Sequence, residues 1–234
     1  MRVLTIVHQA NAGAGVFGEV AEAAGHELER WVPSAGPPPS EDGFGAVMVF
    51  GGSMHLDQED ANPWLRDEKA FLRELLDSDT PALGVCLGSQ LLAEAAGAAP
   101  RRASRPEIGW HGIELTPEGE SDPLLAPLAG GFEGFGWHSY EFPLPPEADP
   151  LARSEVCLQA FRLRDRPVWG LQFHAEVTPG ILDSWIDDYD SDEDAVRIGV
   201  DPARLREESA GRIEAWNELG RGISDRFLRE ATPG

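Results

Sequence analysis

Pro81-Ala82-Leu83-Gly84-Val85-Cys86-Leu87-Gly88-Ser89-Gln90-Leu91-Leu92-Ala93 is an apolar run that stops at a cysteine and turns at once into helix-forming residues. Gly84 and Gly88 flank the cysteine at −2 and +2. This is the G-x-nucleophile-x-G arrangement, with Cys86 where serine is better known. A nucleophile on a sharp strand-to-helix turn sits in a strained backbone conformation, so its neighbours at −2 and +2 must lack side chains. Glycine at such a junction costs stability unless the backbone needs it. The pair therefore distinguishes a reactive cysteine from a buried strand-end one. The turn exposes the sulfur near the N-terminus of the next helix, whose unpaired N–H groups and partial positive charge favour a thiolate.

Outward from this elbow, strands and helices alternate. Val3–His8, Ala46–Phe50 and Pro81–Val85 are apolar runs that predict strands, and Glu27–Val32 predicts a short strand between the first two. A glycine-rich loop from Asn11 to Gly18 leads to a helix over Glu19–Ala24, which Gly25 ends, and Pro33–Ser40 is a stiff loop. Pro63–Leu76 is an amphipathic helix with Leu65, Phe71, Leu72, Leu75 and Leu76 on its apolar face. The elbow helix runs to Ala96 and stops at Gly97. This alternation predicts an α/β fold, an open and mostly parallel sheet with helices on both faces. After Gly97, Glu107–Thr116, Phe132–Phe142, Cys157–Arg164 and Val168–Phe173 predict strands with few helices between them, an antiparallel extension of the same sheet. Ile181–Tyr189 and Pro202–Leu228 are helical, joined by an acidic run. Residues 1–190 are expected to form one domain, with 191–234 a C-terminal helical extension packed on it.

The 234 residues suffice for a full core in one domain. A formal net charge of −22, from 41 acidic and 19 basic residues, disfavours nucleic acid and anionic membranes as partners. Lys69 is the sole lysine. Cys86 and Cys157 make no disulfide framework, and a free reactive thiol suits a reducing compartment. The opening Met1–His8 is too short an apolar run for a signal peptide, and no stretch approaches the ~20 apolar residues that span a bilayer. The expectation is a cytoplasmic protein.

A cysteine nucleophile needs a base, and the base an orienting group. Of six histidines, His8, His26 and His111 read as structural, while His55 and His138 fall in segments that could line a pocket. His174 closes the strand Val168–Phe173, with Glu176 two residues on. In an open α/β sheet chemistry gathers at the carboxyl ends of strands. Residues i and i+2 of extended chain point the same way, so Glu176 can hold the ring nitrogen that faces away from sulfur. Gly51-Gly52 ends a third strand, and its N–H groups, with that of Leu87, can approach an oxyanion.

Together Gly84-Val85-Cys86-Leu87-Gly88-Ser89-Gln90, Gly51-Gly52 and Gln172-Phe173-His174-Ala175-Glu176 resemble a class I (triad) glutamine amidotransferase. Within that family they are similar to the free-standing proteins akin to the amidotransferase domain of GMP synthase. Asp60–Lys69, Glu107-Ile108-Gly109-Trp110-His111 and Gly136–Phe142 carry the resemblance over most of residues 1–190. It implies a flavodoxin-like three-layer fold and no cofactor, and Cys86 and Cys157 with the histidines lack the spacing of a zinc site, so no metal is expected. By it, Cys86 is nucleophile, His174 general base and acid, Glu176 its orienter, and Gly52 and Leu87 the oxyanion hole. Gln90, Gly51, His138, Ser139 and Tyr140 would contact substrate. The reaction implied is hydrolysis of the γ-carboxamide of glutamine through a thioester, releasing ammonia. Glutamine ranks first as substrate and γ-glutamyl peptides second; two routes stay open, feeding a separate synthetase or hydrolysing γ-glutamyl compounds without a partner. The family commonly has proline at Ser53 and at Ala175; both departures bear on loop positioning rather than on a reacting group.

Other signals compete. Gly13-Ala14-Gly15-Val16-Phe17-Gly18 matches G-x-G-x-x-G, with Glu27 or Glu29 near where a ribose-binding acid would lie, and would suit a nucleotide-binding module. Four residues separate His8 from Gly13, whereas that fingerprint starts at the strand's end. Asp190-Ser191-Asp192-Glu193-Asp194 with Asp201 spaces acids like a calcium loop, but Ala195 stands where the loop needs glycine. Cys157 is expected to be buried and inert. A non-catalytic scaffold would not need Cys86, His174 and Glu176 intact.

Overall fold

A computed structural model describes residues 1–40 and 43–232; the last two positions of the expected C-terminal extension lie outside that range. The first strands are β1 (Arg2–Ile6), β2 (Glu27–Trp31), β3 (Ala46–Val49) and β4 (Ala82–Val85), with helices α1 (Gly15–Ala23) and α2 (Trp64–Asp77) between them. Helix α3 (Leu87–Ala95) follows the elbow. Then come β5 (Arg101–Leu115), the short α4 (Pro117–Ser121), β6 (Phe132–Glu141), β7 (Ala148–Arg153), β8 (Leu158–Leu163) and β9 (Val168–Leu171). Helices α5 (Pro179–Asp187), α6 (Glu193–Ile198), α7 (Pro202–Ala210) and α8 (Ile213–Glu230) complete the chain.

All nine strands form one sheet in the order β2-β1-β3-β4-β9-β8-β7-β5-β6. The pairs from β2 through β9 are parallel. The remaining four strands extend the sheet in antiparallel fashion. The parallel half has the doubly wound order expected of a flavodoxin-like sheet, with β9 as its fifth strand.

Alternation along the parallel strands builds two cores, one on each face. Val3, Met48, Phe50, Leu83, Val85, Trp169 and Leu171 face one way and pack with α1, α5 and α8 residues such as Phe17, Leu182 and Phe227. Leu4, Ile6, Val47, Val49, Ala82 and Val168 face the other and meet Leu65, Leu72, Leu91 and Leu92 of α2 and α3. Each fully buried large apolar side chain contributes roughly 1.5–3 kcal/mol. Lys69, on α2 and almost wholly buried, pairs with Glu59 at 2.6 Å and with Glu94 of α3 at 3.0 Å. No helix among the described residues is long and apolar enough to cross a membrane.

Four elements differ from expectation. Helix α1 starts at Gly15 rather than Glu19, inside the glycine-rich loop. Strand β5 begins at Arg101, six residues early. Strand β7 has no counterpart among the strands expected from sequence because Pro150 interrupts its pattern; the pairing with β8 shifts register between Pro150 and Ala152, where proline is tolerated. The expected helix over Pro202–Leu228 breaks at Gly211-Arg212 into α7 and α8.

Candidate active site

The carboxyl ends of β1, β3, β4 and β9, adjacent in the sheet, bring His8, Gly51-Gly52, Cys86 and His174 into one region. Cys86 has φ 52° and ψ −112°, one of two non-glycine residues with positive φ among those described. Such a conformation costs on the order of 1–3 kcal/mol and persists only where the surroundings enforce it. Here the Cys86 N–H donates to the Leu171 carbonyl at 2.8 Å, and its carbonyl accepts from Ser89 Oγ at 2.6 Å and Gln90 N at 3.1 Å. The flanking glycines are steric necessities. A Cβ on Gly84 would stand 2.6 Å from the Gly88 carbonyl oxygen, and one on Gly88 2.1 Å from that of Val49.

His174 leaves β9 with its N–H bonded to the Phe135 carbonyl at 2.8 Å. Its Nδ1 lies 2.7 Å from Glu176 Oε1, both side chains buried. A carboxylate at Nδ1 directs Nε2 to the other side of the ring. Burial alone would lower the His174 pKa; the Glu176 carboxylate and the nearby Cys86 sulfur outweigh it and raise it to about 10. The Cys86 sulfhydryl itself lies 3.8 Å from the Trp137 carbonyl oxygen. Trp185 meets the His174 ring edge-on at 4.7 Å. From α8, Trp216 Nε1 donates to the His174 carbonyl at 2.8 Å and Asn217 Nδ2 to that of Val177 at 2.6 Å.

Gly51 passes close to both, and Gly52 packs against His8 and Leu87. A Cβ on Gly51 would stand 3.1 Å from His174 Cε1 and 3.6 Å from Cys86 Cβ. The Ser53 N–H donates to Gln9 Oε1 at 2.8 Å, a bond that a proline at this position would lose. Behind the turn, His8 Nδ1 lies 3.1 Å from the Gly51 carbonyl oxygen and Nε2 2.8 Å from Glu68 Oε1. The sequence pattern makes His8 structural and assigns Glu68 no role. The available signal was a carboxylate at position 68, between Leu65 and Leu72 on the core-facing stripe of α2.

A cavity of about 380 Å³ opens over Cys86. Gln90, His138, Ser139 and Tyr140 line it, as the sequence suggests, together with His55. Trp137, part of the same Trp137–Tyr140 segment, joins them, while Trp185, Asp188 and Asp192 are further walls that the sequence does not assign to the pocket. Gln90 is buried, its Nε2 donating to Gln172 Oε1 at 3.2 Å and to the Tyr140 carbonyl at 3.3 Å. His55 stacks on Tyr140 at 4.2 Å, and burial lowers its pKa. Asp192 Oδ2 accepts from Trp137 Nε1 at 2.9 Å.

Glu107, His138 and Cys157 bring ligand-type atoms within 4.8 Å of one another, a geometry that three-ligand metal sites also require. Their hydrogen bonds account for the grouping. Glu107 Oε2 accepts from Gln159 Nε2 at 2.7 Å and Ser154 Oγ at 3.0 Å, and His138 Nδ1 meets the Tyr140 carbonyl at 2.9 Å. Burial and the Glu107 carboxylate push the Cys157 thiol far up, in keeping with an inert cysteine. The network anchors β6, and with it the pocket wall from Trp137 to Tyr140.

The competing motifs are absorbed into the fold. Gly15, at φ 48°, lies so close to the segment after His174 that a Cβ would stand 1.9 Å from the Glu176 carbonyl oxygen, and Val16 N–H donates to that oxygen at 2.9 Å. Protein backbone thus occupies the helix end where a pyrophosphate would sit. In the acidic run, Asp192 caps α6 through Asp194 N and Ala195 N, and Asp201 caps α7. Asp194 pairs with Arg102 at 3.0 Å and with Arg197 at 2.5 Å.

Fold and site together define an α/β protein of the doubly wound type with a strained cysteine, a histidine and a glutamate gathered at the carboxyl edge of its sheet. The chain belongs to the glutamine amidotransferase class-I family, whose model matches residues 30–186. It is 32% identical over 184 residues to the glutamine amidotransferase-like protein YfeJ of Salmonella typhimurium, covering 76% of this chain and 77% of that one. It is 33% identical over 158 residues to a glutamine-hydrolysing GMP synthase subunit of Ignicoccus hospitalis, covering 67% and 79%. A glutamine amidotransferase from Thermotoga maritima superposes with a TM-score of 0.85 at 27% identity, over 97% of this chain and 98% of that one. One from Methylobacillus flagellatus gives a TM-score of 0.83 at 24% identity, over 100% and 96%, and at that identity shows the shared fold alone.

Proposed function

We propose that this protein is a glutaminase that releases ammonia from the γ-carboxamide of glutamine through a thioester on Cys86. The observation that carries the reading is the strained Cys86 elbow beside the buried His174–Glu176 pair, joined at 2.7 Å. Cys86 Sγ attacks the γ-carbonyl carbon, and the oxyanion is held by the N–H groups of Gly52 and Leu87. His174 Nε2 delivers its proton to the departing nitrogen, and ammonia leaves as the C–N bond breaks. His174 then accepts a proton from water, whose oxygen attacks the thioester carbon. Glutamate is released as the C–S bond breaks, and His174 and the sulfur return to their starting state. Glu176 holds the ring in orientation throughout and stabilises its charge. Gln90 and the wall formed by His138, Ser139 and Tyr140 bind the glutamyl moiety, whereas Gly51, expected from sequence to touch substrate, lies outside the cavity lining with its carbonyl turned to His8.

A second reading, a γ-glutamyl peptide hydrolase, is favoured by the cavity. At about 380 Å³ it lies within the range of pockets that take ligands larger than glutamine. The ammonia acceptor belongs to a partner: the similarity to a glutamine-hydrolysing GMP synthase subunit supports a separate synthetase. The test is glutamate release from glutamine and from a panel of γ-glutamyl and α-glutamyl peptides, with wild-type protein and Cys86→Ser side by side. Release from a γ-linked substrate that Cys86→Ser abolishes is the expected result. Hydrolysis of α-linked peptides alone would overturn the substrate class, and activity equal in both proteins would overturn the nucleophile.

A further inference from the structure

The His8–Glu68 pair lies directly behind the Gly51-Gly52 turn, and no step of the chemistry above uses it. His8 follows β1 and Glu68 lies on α2, so the pair bridges the central sheet to the helix layer. Both side chains are wholly buried. The His8 ring is not part of the cavity wall and cannot touch a substrate there. At Nδ1 it faces a carbonyl oxygen, that of Gly51, and at Nε2 a carboxylate oxygen of Glu68. Both ring nitrogens thus face acceptors, the bonding pattern of an imidazolium with two donors. Burial would lower the His8 pKa, but the Glu68 carboxylate and the backbone carbonyl prevail and raise it.

The Gly51 carbonyl and the Gly52 N–H belong to the same peptide unit, whose C–N bond has partial double-bond character. A charged donor at the carbonyl oxygen draws electron density through that unit and makes its N–H a stronger donor, and hydrogen bonds in series reinforce one another in this way. In a buried setting the effect is screened far less than in water. The packing enforces the approach: a Cβ on Gly52 would stand 2.9 Å from His8 Cβ, and Trp64 stacks over the His8 ring at 5.7 Å. Glu68 Oε2 has no hydrogen-bond partner among the described residues, and the carboxylate's hydrogen bond to His8 is made through Oε1.

We propose that His8 and Glu68 are positioning residues that clamp and polarise the Gly51–Gly52 peptide, strengthening the Gly52 N–H toward the oxyanion. The proposal rests on the reading that Gly52 supplies one oxyanion donor. It predicts a defect confined to the chemical step, whereas a mere core strut would affect stability and leave kcat alone.

The test uses Glu68→Gln, which keeps the shape and removes the charge, with His8→Asn, which keeps a neutral donor near the Nδ1 position, and His8→Ala, which keeps none. Three readouts separate the possibilities: steady-state kinetics, the rate of Cys86 alkylation by iodoacetamide, and the proton chemical shift of the Gly52 amide. Removing an oxyanion donor outright costs about 10²–10³ in kcat. Weakening one through Glu68→Gln is expected to cost roughly tenfold to a hundredfold in kcat, with KM and the alkylation rate within about twofold of wild type. The Gly52 amide proton moves upfield while those of Gly84 and Gly88 stay in place, and His8→Asn retains more kcat than His8→Ala. Unchanged kcat in folded Glu68→Gln or His8→Ala protein overturns the proposal. A fall in kcat matched by an equal fall in alkylation also overturns it, since the damage would then lie at the nucleophile. If the Gly52 proton moves and kcat does not, the clamp has no catalytic role and Gly52 loses its assignment as oxyanion donor. Should Glu68→Gln fail to fold, the two His8 variants decide the matter alone.

Discussion

Gly220 of α8 meets the backbone of Ala175 so closely that a Cβ on it would stand 2.0 Å from the Ala175 carbonyl oxygen. The residue between His174 and Glu176 is therefore pressed directly by the C-terminal helix. Trp216 and Asn217, one turn earlier on α8, bond the carbonyls of His174 and Val177, and α1 touches Glu176 from another side through Gly15 and Val16. Two helices distant in sequence from β9 thus hold the strand exit that carries the site. Gly220→Ala should displace either the helix or the segment. Overpacking of this kind costs about 1–3 kcal/mol, so both Tm and kcat are expected to fall. Gly211→Ala is the control, because nothing lies within 4 Å of its added Cβ. Thermal melts and kinetics on both variants check this; a Gly220→Ala protein as active and stable as Gly211→Ala would show that α8 does not position the segment.

The two cysteines differ in environment, and their variants should differ in effect. Cys86 sits in a strained elbow at the cavity floor, whereas Cys157 is buried in the Glu107 hydrogen-bond network. Cys86→Ser is expected to fold and to lose nearly all glutamate release, because a hydroxyl at its ordinary pKa is a far weaker nucleophile than a thiolate. Cys157→Ser should keep most of it. Iodoacetamide should block activity in Cys157→Ser as in wild type. Equal activities in the two variants would remove Cys86 from the mechanism.

Gln90 lies one turn into α3, its Nε2 engaged by Gln172 and by the Tyr140 carbonyl. That leaves its carbonyl oxygen to meet a donor in the cavity, such as a glutamyl ammonium. An interaction made equally in ground and transition states affects binding more than turnover. Gln90→Ala should therefore raise KM for the glutamyl substrate by a larger factor than it lowers kcat. The opposite split would place Gln90 with the reacting groups.

The parallel half of the fold and the Cys86–His174–Glu176 grouping were legible because each leaves a local trace: an apolar strand, a glycine pair, a histidine at a strand end. The contacts made by side chains far away in sequence leave no such trace. Trp216 and Asn217 appear in the sequence only as part of an amphipathic helix, and nothing local tells that they bond the backbone at His174 and Val177. Strand β7 was hidden by Pro150, whose bulge breaks the alternation that identifies strands. The glycines at 13, 15 and 18 mimic a nucleotide-binding loop, but only at Gly15 does backbone approach closely, and there it is the Glu176 carbonyl; a Cβ on Gly13 would meet nothing within 4 Å. Glu68 was the readable clue to the pair behind Gly51, since a carboxylate among leucines on one helix face requires a buried partner.

The buried His174–Glu176 pair should make stability fall toward alkaline pH, with a sign set by the histidine. The folded-state pKa of His174 is raised from 6.5 to about 10 by Glu176 and Cys86 against the effect of burial. A raised basic group binds its proton more tightly in the folded state, so its contribution to stability is full below the unfolded value and is lost as pH rises through the folded one. Urea unfolding of the wild type should thus show stability declining from near pH 6.5 until about pH 10. His8 is raised as well and adds a slope of the same sign. Comparison with Glu176→Gln isolates the His174 contribution, because that substitution removes its carboxylate and leaves Glu68 beside His8. The variant should show a shallower decline, ending at lower pH. Its kcat should fall by a factor between about ten and the ~10⁴ seen when a triad acid is neutralised elsewhere. Identical pH slopes for wild type and variant would mean that Glu176 does not hold the charge of His174, and a kcat/KM equal to wild type would mean that another acid orients the ring.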